Sequence, residues 1–534
     1  MRGSVNDMPN NQYMSYDSVN SNNIFNITCP YCFETFRDRD VMFRSKTLYK
    51  DSNDMVNKVT NGKWKKENEL NFSDDPEAER YRKEVEIHKA FIIKGRSENF
   101  QNFWRKYQNG DYPEGERRNG HLEKEIDFEY NRPIIDPKDV KLTSGLRYEN
   151  DGFLSGMTDI CGNLTLSRVC PHCNNPLPHN YGRYPVYHIS VIGIKGSGKT
   201  VFLSQFLNYL KAECHKIGIV TGVQDPAINR YVDENPVKEG EYLSESTEPE
   251  ALISPLSINL TIKKQTYTFV FHDIAGENCV SANEKVNFSD FIAHSNALIF
   301  IIDPKQIEAF GIPFENGNRT IDLGEVFTTI GATFGGKVGD VPAAVVISQI
   351  DRPQCKNIMQ EKCPMLYQNH ITPIYKNALE AKENPKFNGN EYNNIYDYLD
   401  EFLSRDPSII NVGANFPNHS YFGISAIGVN VENAVPVSEP VPHRVSEPFF
   451  WILYKLGLLR TSVPVHERIT QKEFDQKVRD KASCQNINLQ AHGGLFKKKV
   501  VNTRYGTVSQ ADKVLLDNIE NDLKQQYIIT ASDD

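Results

Sequence analysis

The sequence predicts an α/β protein with a mostly parallel sheet that helices cover on both faces. Apolar runs of strand length alternate with helical patterns between residues 186 and 460. The first run, 186–192, leads into a glycine-rich turn and then into an amphipathic helix. Strands that alternate with helices favour parallel pairing, because each helical crossover returns the chain to the same edge of the sheet.

The predicted elements follow one another along this region. Strands are expected at 186–192, 256–262, 267–272, 297–302, 343–347 and 421–424, and helices at 201–210, 321–330 and 392–403. A further apolar helix is expected to begin at Ser446-Glu447-Pro448 and to end near Gly457. Proline suits the first helical turn and glycine suits the C-terminal cap.

Composition and charge exclude several classes of protein. The chain has 534 residues, enough for two to four domains, and its formal net charge is −9, which argues against a nucleic-acid partner. No apolar run approaches the roughly 18 residues that a membrane-spanning helix requires. The N-terminus carries no secretory signal, so the 10 cysteines favour a reducing cytoplasm over a disulfide framework.

The glycine-rich turn, 193–200, matches G-x-x-x-x-G-K-[ST] at every fixed position. Its glycines allow backbone N–H groups to face phosphate oxygens, and the helix that follows adds partial positive charge. Lys199 is expected to bridge the β- and γ-phosphates, and the Thr200 hydroxyl to ligate Mg²⁺. The residues expected to contact the nucleotide here are Gly193, Lys195, Gly196, Ser197, Gly198, Lys199, Thr200 and Val201. The alternative is a strand-to-helix turn without a ligand.

A second motif follows the strand predicted at 267–272. Asp273-Ile274-Ala275-Gly276 places a carboxylate at the end of an apolar strand, where it can hold Mg²⁺ through water. The backbone N–H of Gly276 can donate to a γ-phosphate. The pattern D-x-x-G is common by chance. Its position after the glycine-rich turn and at a strand end is what supports a role in phosphate binding.

Two further motifs favour guanine over adenine. Ser348-Gln349-Ile350-Asp351 follows a strand, and the Asp351 carboxylate can accept hydrogen bonds from the N1–H and 2-amino groups of guanine. Ser425-Ala426 follows another strand and suits a backbone contact with the guanine carbonyl. The alternative for Asp351 is an ordinary turn residue.

In this order, the four motifs resemble those of the translation-factor-related GTPases, the class that includes the Ras-like proteins. The resemblance covers roughly 186–460 and implies the roles given above for Lys199, Thr200, Asp273, Gly276, Asp351, Ser425 and Ala426. It also implies GTP and Mg²⁺ as ligands. Two departures stand out: Ser348-Gln349 replaces the usual N/T-K, and Glu277 follows the D-x-x-G motif where a water-orienting Gln is frequent.

Two Cys-Pro-x-Cys pairs, Cys29/Cys32 and Cys170/Cys173, supply four thiolates, the set that closes a structural zinc site. The long gap between the pairs raises the cost of loop closure by only about 2 kcal/mol over a usual gap. Structural zinc supplies on the order of 10 kcal/mol. The alternatives are unrelated buried cysteines or a redox pair. The other cysteines are expected to be plain buried or surface thiols, and the histidines His172 and His188 are expected to be structural.

Together with the helix at Pro448-Phe449-Phe450-Trp451, the cysteine pairs and the glycine-rich loop make the chain similar to the zinc-ribbon-containing bacterial "double-GTPase" proteins of predicted conflict systems. The expected domains are a disordered tail (1–28), a zinc ribbon with a long polar insertion (29–185), a Ras-like P-loop domain (186–460) and a helical extension (461–534).

The function expected from these motifs is Mg²⁺-dependent GTP binding with slow hydrolysis, used as a switch. Protein partners are expected, either an activating protein or a second GTPase. A loop within 238–255 is expected to sense the γ-phosphate, with Thr247 as its Mg²⁺-contacting residue and Ser254 as the next choice. Glu277 is expected to take part in catalysis. A P-loop ATPase and a nucleotide-binding scaffold without turnover remain the alternatives.

Overall fold

The computed structural model describes residues 25–47, 83, 86–87, 98–105, 133–194, 196–222, 225–244, 254–276, 289–313, 323–334, 341–367, 385–463, 465–485, 487–490, 500–524 and 527–530. Within these residues the protein is a mixed α/β structure that contains one large mixed sheet. The tail predicted at 1–28 falls almost wholly outside them. Within the described part of the chain, no helix combines the length and the apolar character that a membrane crossing requires.

The N-terminal region consists of short strands and one described helix. Its elements are β1 (Asn26–Thr28), β2 (Thr35–Arg37), β3 (Met42–Arg44), α1 (Glu98–Arg105), β4 (Ile134–Ile135), β5 (Thr143–Tyr148), β6 (Leu154–Asp159), β7 (Leu164–Thr165) and β8 (Arg168–Val169). Strands β1 and β2 form a hairpin, and two three-stranded sheets have the orders β4-β3-β8 and β5-β6-β7. Pairing of β3 with β8 brings the two cysteine pairs into one region.

The next strands belong mainly to the large sheet. They are β9 (Val186–Gly193), β10 (Val220–Thr221), β11 (Leu256–Ile262), β12 (Gln265–Ala275), β13 (Ala297–Ile302), β14 (Ala343–Ile347), β15 (Lys386–Phe387), β16 (His419–Gly423), β17 (Val431–Glu432), β18 (Val435–Pro436) and β19 (Arg460–Thr461). The sheet order is β10-β11-β12-β9-β13-β14-β16. The four pairings from β12 to β16 are parallel, whereas β11 runs antiparallel to both of its neighbours.

Helices connect these strands. They are α2 (Lys199–Lys216), α3 (Pro226–Glu234), α4 (Ser289–Ala293), α5 (Leu323–Phe334), α6 (Pro353–Lys362), α7 (Gly389–Leu403), α8 (Asn411–Asn415) and α9 (Glu447–Lys455). Helix α3 begins after Asp225, whose side chain accepts a hydrogen bond from Ala227 N, with Pro226 in the first turn. Helix α9 is almost wholly buried, and its Phe449 ring meets the rings of Phe206 and Phe271 edge-on.

The described core forms two separate clusters. One is continuous from the N-terminal strands through the large sheet to α9. The other is smaller and belongs to the C-terminal elements β20 (Glu467–Thr470), α10 (Gln471–Cys484), β21 (Val500–Thr503), β22 (Gly506–Ser509), α11 (Gln510–Lys524) and β23 (Tyr527–Thr530). The N-terminal region and the large sheet therefore share one apolar core.

Candidate functional site

A cavity of about 890 Å³ opens at the carboxyl ends of β9, β12, β14 and β16. This volume lies in the range of small-molecule sites in proteins, which is roughly 300–1,000 Å³. In open α/β sheets ligands bind beyond the carboxyl ends of strands, where the strand order changes direction. Here that position is the end of β9. The strands that follow β9 in the sequence lie first on one side of it (β10 to β12) and then on the other side (β13, β14 and β16).

The glycine-rich loop forms one wall of this cavity. Gly196 and Gly198 have φ angles of +85° and +80°, which favour glycine because a Cβ atom is strained there. A Cβ atom on Gly193 would lie 2.5 Å from Ser197 Oγ, so the first glycine is required by close packing. Lys195 lies outside the described residues. The described loop residues and Val201 line the cavity, and α2 begins at Lys199.

At the base of the loop, Lys199 forms a buried ion pair with Asp273, whose side chain is 0% exposed. The Tyr231 hydroxyl of α3 donates to Asp273 Oδ2 at 3.0 Å and also shares a hydrogen bond with Thr200. Burial raises the pKa of Tyr231, so the phenol stays protonated and remains a donor. Lys199 and Thr200 line the cavity, and Asp273 lies against Lys199. The three predicted groups therefore meet, and the sequence reasoning missed Tyr231.

The register of β12 beside β9 explains this meeting. Asp273 is paired with Val191, and Ala275 with Gly193, so both strands end at the same level. The N–H of Gly276 donates to the Gly193 carbonyl at 3.0 Å, which fixes the start of one motif to the end of the other. Donation to a phosphate would require release of this bond.

The two motifs predicted to contact the guanine base form a further wall of this cavity. Ser348, Gln349, Asp351, Ser425 and Ala426 all line the cavity. The Ser348 hydroxyl donates to the Ser197 carbonyl at 2.7 Å, which joins this wall to the glycine-rich loop. Residues separated by more than a hundred positions in sequence thus share one site.

Other lining residues carried no recognisable sequence signal. The β17–β18 hairpin, Leu243 and Ser244 also border the cavity. Leu243 N donates to Ala434 O at 2.8 Å, and Gly240 N donates to Pro436 O at 3.0 Å. The chain that enters the predicted γ-phosphate-sensing loop is therefore bonded to the hairpin. Thr247 and Glu277 lie outside the described residues. Ser254 shares a side-chain hydrogen bond with Tyr31 of the first cysteine pair.

A second candidate site is a cluster of four cysteines. The Sγ atoms of Cys29, Cys32, Cys170 and Cys173 all lie within 4.8 Å of one another. The Cys29–Cys173 and Cys32–Cys170 Sγ distances are 3.6 and 3.8 Å. In a tetrahedral zinc site with bonds of about 2.3 Å, neighbouring sulfurs are about 3.8 Å apart. The cluster could therefore bind a metal such as zinc.

The two cysteine pairs adopt the same turn. In each turn the first cysteine's N–H bonds the carbonyl five residues later, and its carbonyl accepts from the residue four positions later. In each turn a backbone N–H also donates to the first Sγ, from Tyr31 to Cys29 and from His172 to Cys170, at 3.4 Å. Such donors stabilise thiolates, the form that binds metal.

A third donor reaches the cluster from outside the turns. The Asn175 side-chain amide donates to Cys173 Sγ at 3.3 Å, and Trp104 of α1 donates to Asn175 Oδ1 at 2.8 Å. Burial raises the pKa of the Cys29 and Cys173 thiols, an effect that a bound metal cation would oppose. This donor set and its outer shell fit a closed structural metal site.

The remaining described thiols are buried or partly buried, and His188 is buried. Cys214, Cys355 and Cys363 are buried free thiols, and Cys161 is partly buried. Cys279 and the side chain of Cys484 lie outside what the structure describes. His188 stacks on His272, with Nδ1 of the first 3.0 Å from Nε2 of the second, and burial lowers the pKa of His188 to about 4.

No protein-family model matches the chain. A stretch of 149 residues is 24% identical to the protein described as "Putative ESX-1 scaffolding and assembly protein SaeC" of Mycolicibacterium smegmatis (strain ATCC 700084 / mc(2)155). The match covers 26% of this chain and 39% of that protein, so the chain spans well under half of the length of this relative.

Proposed function

We propose that this chain is a Mg²⁺-dependent GTP-binding switch protein of the translation-factor-related, Ras-like class, which hydrolyses GTP slowly. One observation carries the proposal. A single cavity is lined by the glycine-rich loop, by Ser348, Gln349 and Asp351, and by Ser425-Ala426. The first motif suits phosphates and the other two suit a guanine base. The parallel strands on both sides of β9 support the Ras-like assignment.

The residues at the base of the loop suit Mg²⁺ together with a triphosphate. Thr200 and Asp273 supply a hydroxyl and a carboxylate, the hard oxygen ligands that Mg²⁺ prefers. When bound, Mg²⁺ neutralises negative charge on the phosphate oxygens. Lys199 adds positive charge on the same side, and the N–H groups of the loop orient the phosphates. Asp351 would select guanine by accepting two hydrogen bonds from its edge.

For the cysteine cluster we propose one structural zinc ion, which joins the two turns into a zinc ribbon. Four thiolates would fill the tetrahedral coordination sphere, so the ion would have no open position for catalysis. Its role would be to hold the N-terminal region against the large sheet, where Phe33 of the first turn packs edge-on against His188 of β9.

We assign the protein to the cytoplasm, with an activating protein or a second GTPase as its partner, in a bacterial conflict system like those of the double-GTPase family.

A second candidate function is a nucleotide-binding scaffold without turnover. The description of the M. smegmatis relative as a putative scaffolding and assembly protein favours this alternative. Turnover measurements separate the two, because a scaffold binds GTP and leaves it intact.

Exchange of Asp351 for Asn tests the guanine assignment. The amide should bond xanthine better than guanine, so Asp351→Asn should bind GTP at least tenfold more weakly and gain affinity for xanthosine triphosphate. Fluorescent nucleotide titrations with Mg²⁺ measure both. Lys356→Ala, an exposed position on α6, is the control and should behave as the wild type. Unchanged GTP and xanthosine triphosphate affinities in Asp351→Asn would refute the assignment.

A further inference from the structure

We infer that Arg352 is a positioning residue for nucleotide selection, which holds the Gln349 amide in one orientation over the nucleoside end of the cavity. The inference rests on the proposed function, because it concerns the same site. Arg352 lies outside all four motifs that the sequence revealed. It lines the cavity beside Gln349 and Asp351.

Arg352 is itself fixed by a buried partner. Its Nη1 atom lies 3.3 Å from Asp303 Oδ1, and the Asp303 side chain is only 12% exposed. The same Asp303 oxygen accepts the N–H of Lys305 at 2.9 Å, as a cap for the short helical turn that follows β13. Asp303 therefore has a defined position, and the guanidinium that contacts it cannot turn away without loss of the ion pair.

The other end of the guanidinium determines how Gln349 is oriented. Arg352 Nη2 donates to Gln349 Oε1. A guanidinium has only donors, so the amide oxygen must face Arg352 and the amide NH₂ must point elsewhere. The Gln349 nitrogen lies 3.6 Å from where a Cβ atom on Gly198 would be. The NH₂ group thus extends over the glycine-rich loop. It lies between this loop, which is the proposed phosphate-binding wall, and the wall formed by Asp351 and Ser425-Ala426, which is the proposed base-binding wall.

Gln349 occupies the position at which the resembled family usually has Lys. An uncharged amide has two donors and an acceptor, and it can rotate by 180° to exchange them. Arg352 removes that freedom and supplies a positive charge nearby. The geometry thus predicts that Gln349 contributes to nucleoside binding only while Arg352 fixes it.

A double-mutant cycle measures this dependence. We expect Arg352→Ala and Gln349→Ala each to weaken Mg²⁺·GTP binding about fivefold to tenfold, and the double variant to lose no more than either one. Mg²⁺·tripolyphosphate should contact only the glycine-rich loop. Its own dissociation constant, obtained by displacement of bound nucleotide, should therefore be the same in all three variants. Independent, multiplicative losses in the double variant would overturn the inference.

A charge exchange provides a second test with an opposite sign. Gln349→Lys places a second cation against Arg352, so it should weaken GTP binding about tenfold, and Gln349→Lys/Arg352→Ala should return within about threefold of the wild type. This rescue cannot come from a structural role of Arg352. Failure of the second substitution to restore binding would overturn the inference.

The outcomes separate this inference from the proposed function. A wild type that binds ATP and GTP equally well would refute the proposed function. A GTP-selective wild type whose Arg352→Ala variant binds GTP normally would refute only the role of Arg352. Thermal unfolding checks that each variant is folded. Arg352→Lys, which retains the charge beside Asp303 but loses the fork, should show an intermediate loss.

Discussion

Lys199 Nζ forms an ion pair with Asp273 Oδ1 at the base of the glycine-rich loop, and both side chains are buried. The proposed function gives each of them another partner: the phosphates for Lys199 and Mg²⁺ for Asp273. If the proposed function is correct, nucleotide and Mg²⁺ should bind together, because either one alone would leave one member of a buried pair without its counter-charge.

Loss of Lys199 should reduce stability as well as binding. Lys199→Ala leaves the Asp273 carboxylate buried without its cation, so the free energy of unfolding should fall by about 3–5 kcal/mol. Urea denaturation of the nucleotide-free protein measures it. Lys216→Ala, at the exposed end of the same helix, is the control and should change the free energy of unfolding by less than about 1 kcal/mol. Equal stability of Lys199→Ala and the control would contradict the importance of this pair.

Tyr231 should stabilise the same carboxylate from the other side. Tyr231→Phe removes the hydroxyl that donates to Asp273 Oδ2 and should lower the free energy of unfolding by about 1.5–3 kcal/mol. The matched control is Tyr398→Phe, because the Tyr398 side chain on α7 is 48% exposed. If both variants unfold at the same urea concentration, the hydrogen bond does not contribute as described.

The cysteine cluster should retain one zinc ion per chain through purification. Cys170→Ser should release it and destabilise the N-terminal region, while GTP binding stays within about twofold of the wild type. Metal analysis and calorimetry measure these effects. Cys161→Ser, which alters a thiol outside the cluster, should keep its zinc. Less than about half an equivalent in unchelated wild-type protein would count against a closed four-thiolate site.

Hydrolysis by the isolated protein should be slow. In the resembled family, a Gln at the position that corresponds to Glu277 would donate to the γ-phosphate and accept from water, whereas a carboxylate can only accept. We expect a rate below about 1 per minute, near the unassisted Ras-like rate, and an increase when a partner supplies an arginine. Single-turnover assays compare the wild type with Glu277→Gln. A fast wild type that Glu277→Gln disables would instead identify Glu277 as a general base.

The large sheet could be predicted because its buried strands appear in the sequence as short runs of apolar residues. The predicted strands at 256–262 and 297–302 coincide with β11 and β13. Strand β10 was not predicted, because two partly exposed residues carry no pattern. The Gly193–Thr200 loop and Asp351 could be singled out in the sequence because the proposed nucleotide binding would demand particular residue types at fixed spacings.

The residues that surround the motifs could not be predicted in the same way. Tyr231 reaches Asp273 because α3 packs beside α2, and no local pattern in 226–234 indicates that contact. In the sequence Arg352 is an ordinary charged residue, and only the fold shows that Asp303, which follows β13, lies beside it. The β17–β18 hairpin accepts backbone hydrogen bonds from Gly240 and Leu243 beside the cavity. Backbone hydrogen bonds of this kind do not depend on residue type, so the sequence does not reveal them. Long-range contacts of this kind depend on the assembled fold.

The central claim is that the cavity binds guanine nucleotide with Mg²⁺, and direct titration of the wild-type protein tests it. Isothermal titration of nucleotide-free protein with GTP and with ATP, each with and without Mg²⁺, gives four affinities. We predict Mg²⁺-dependent GTP binding at least a hundredfold tighter than ATP binding, which corresponds to about 2.7 kcal/mol. Equal affinities for the two nucleotides, or tighter binding of ATP, would contradict the claim.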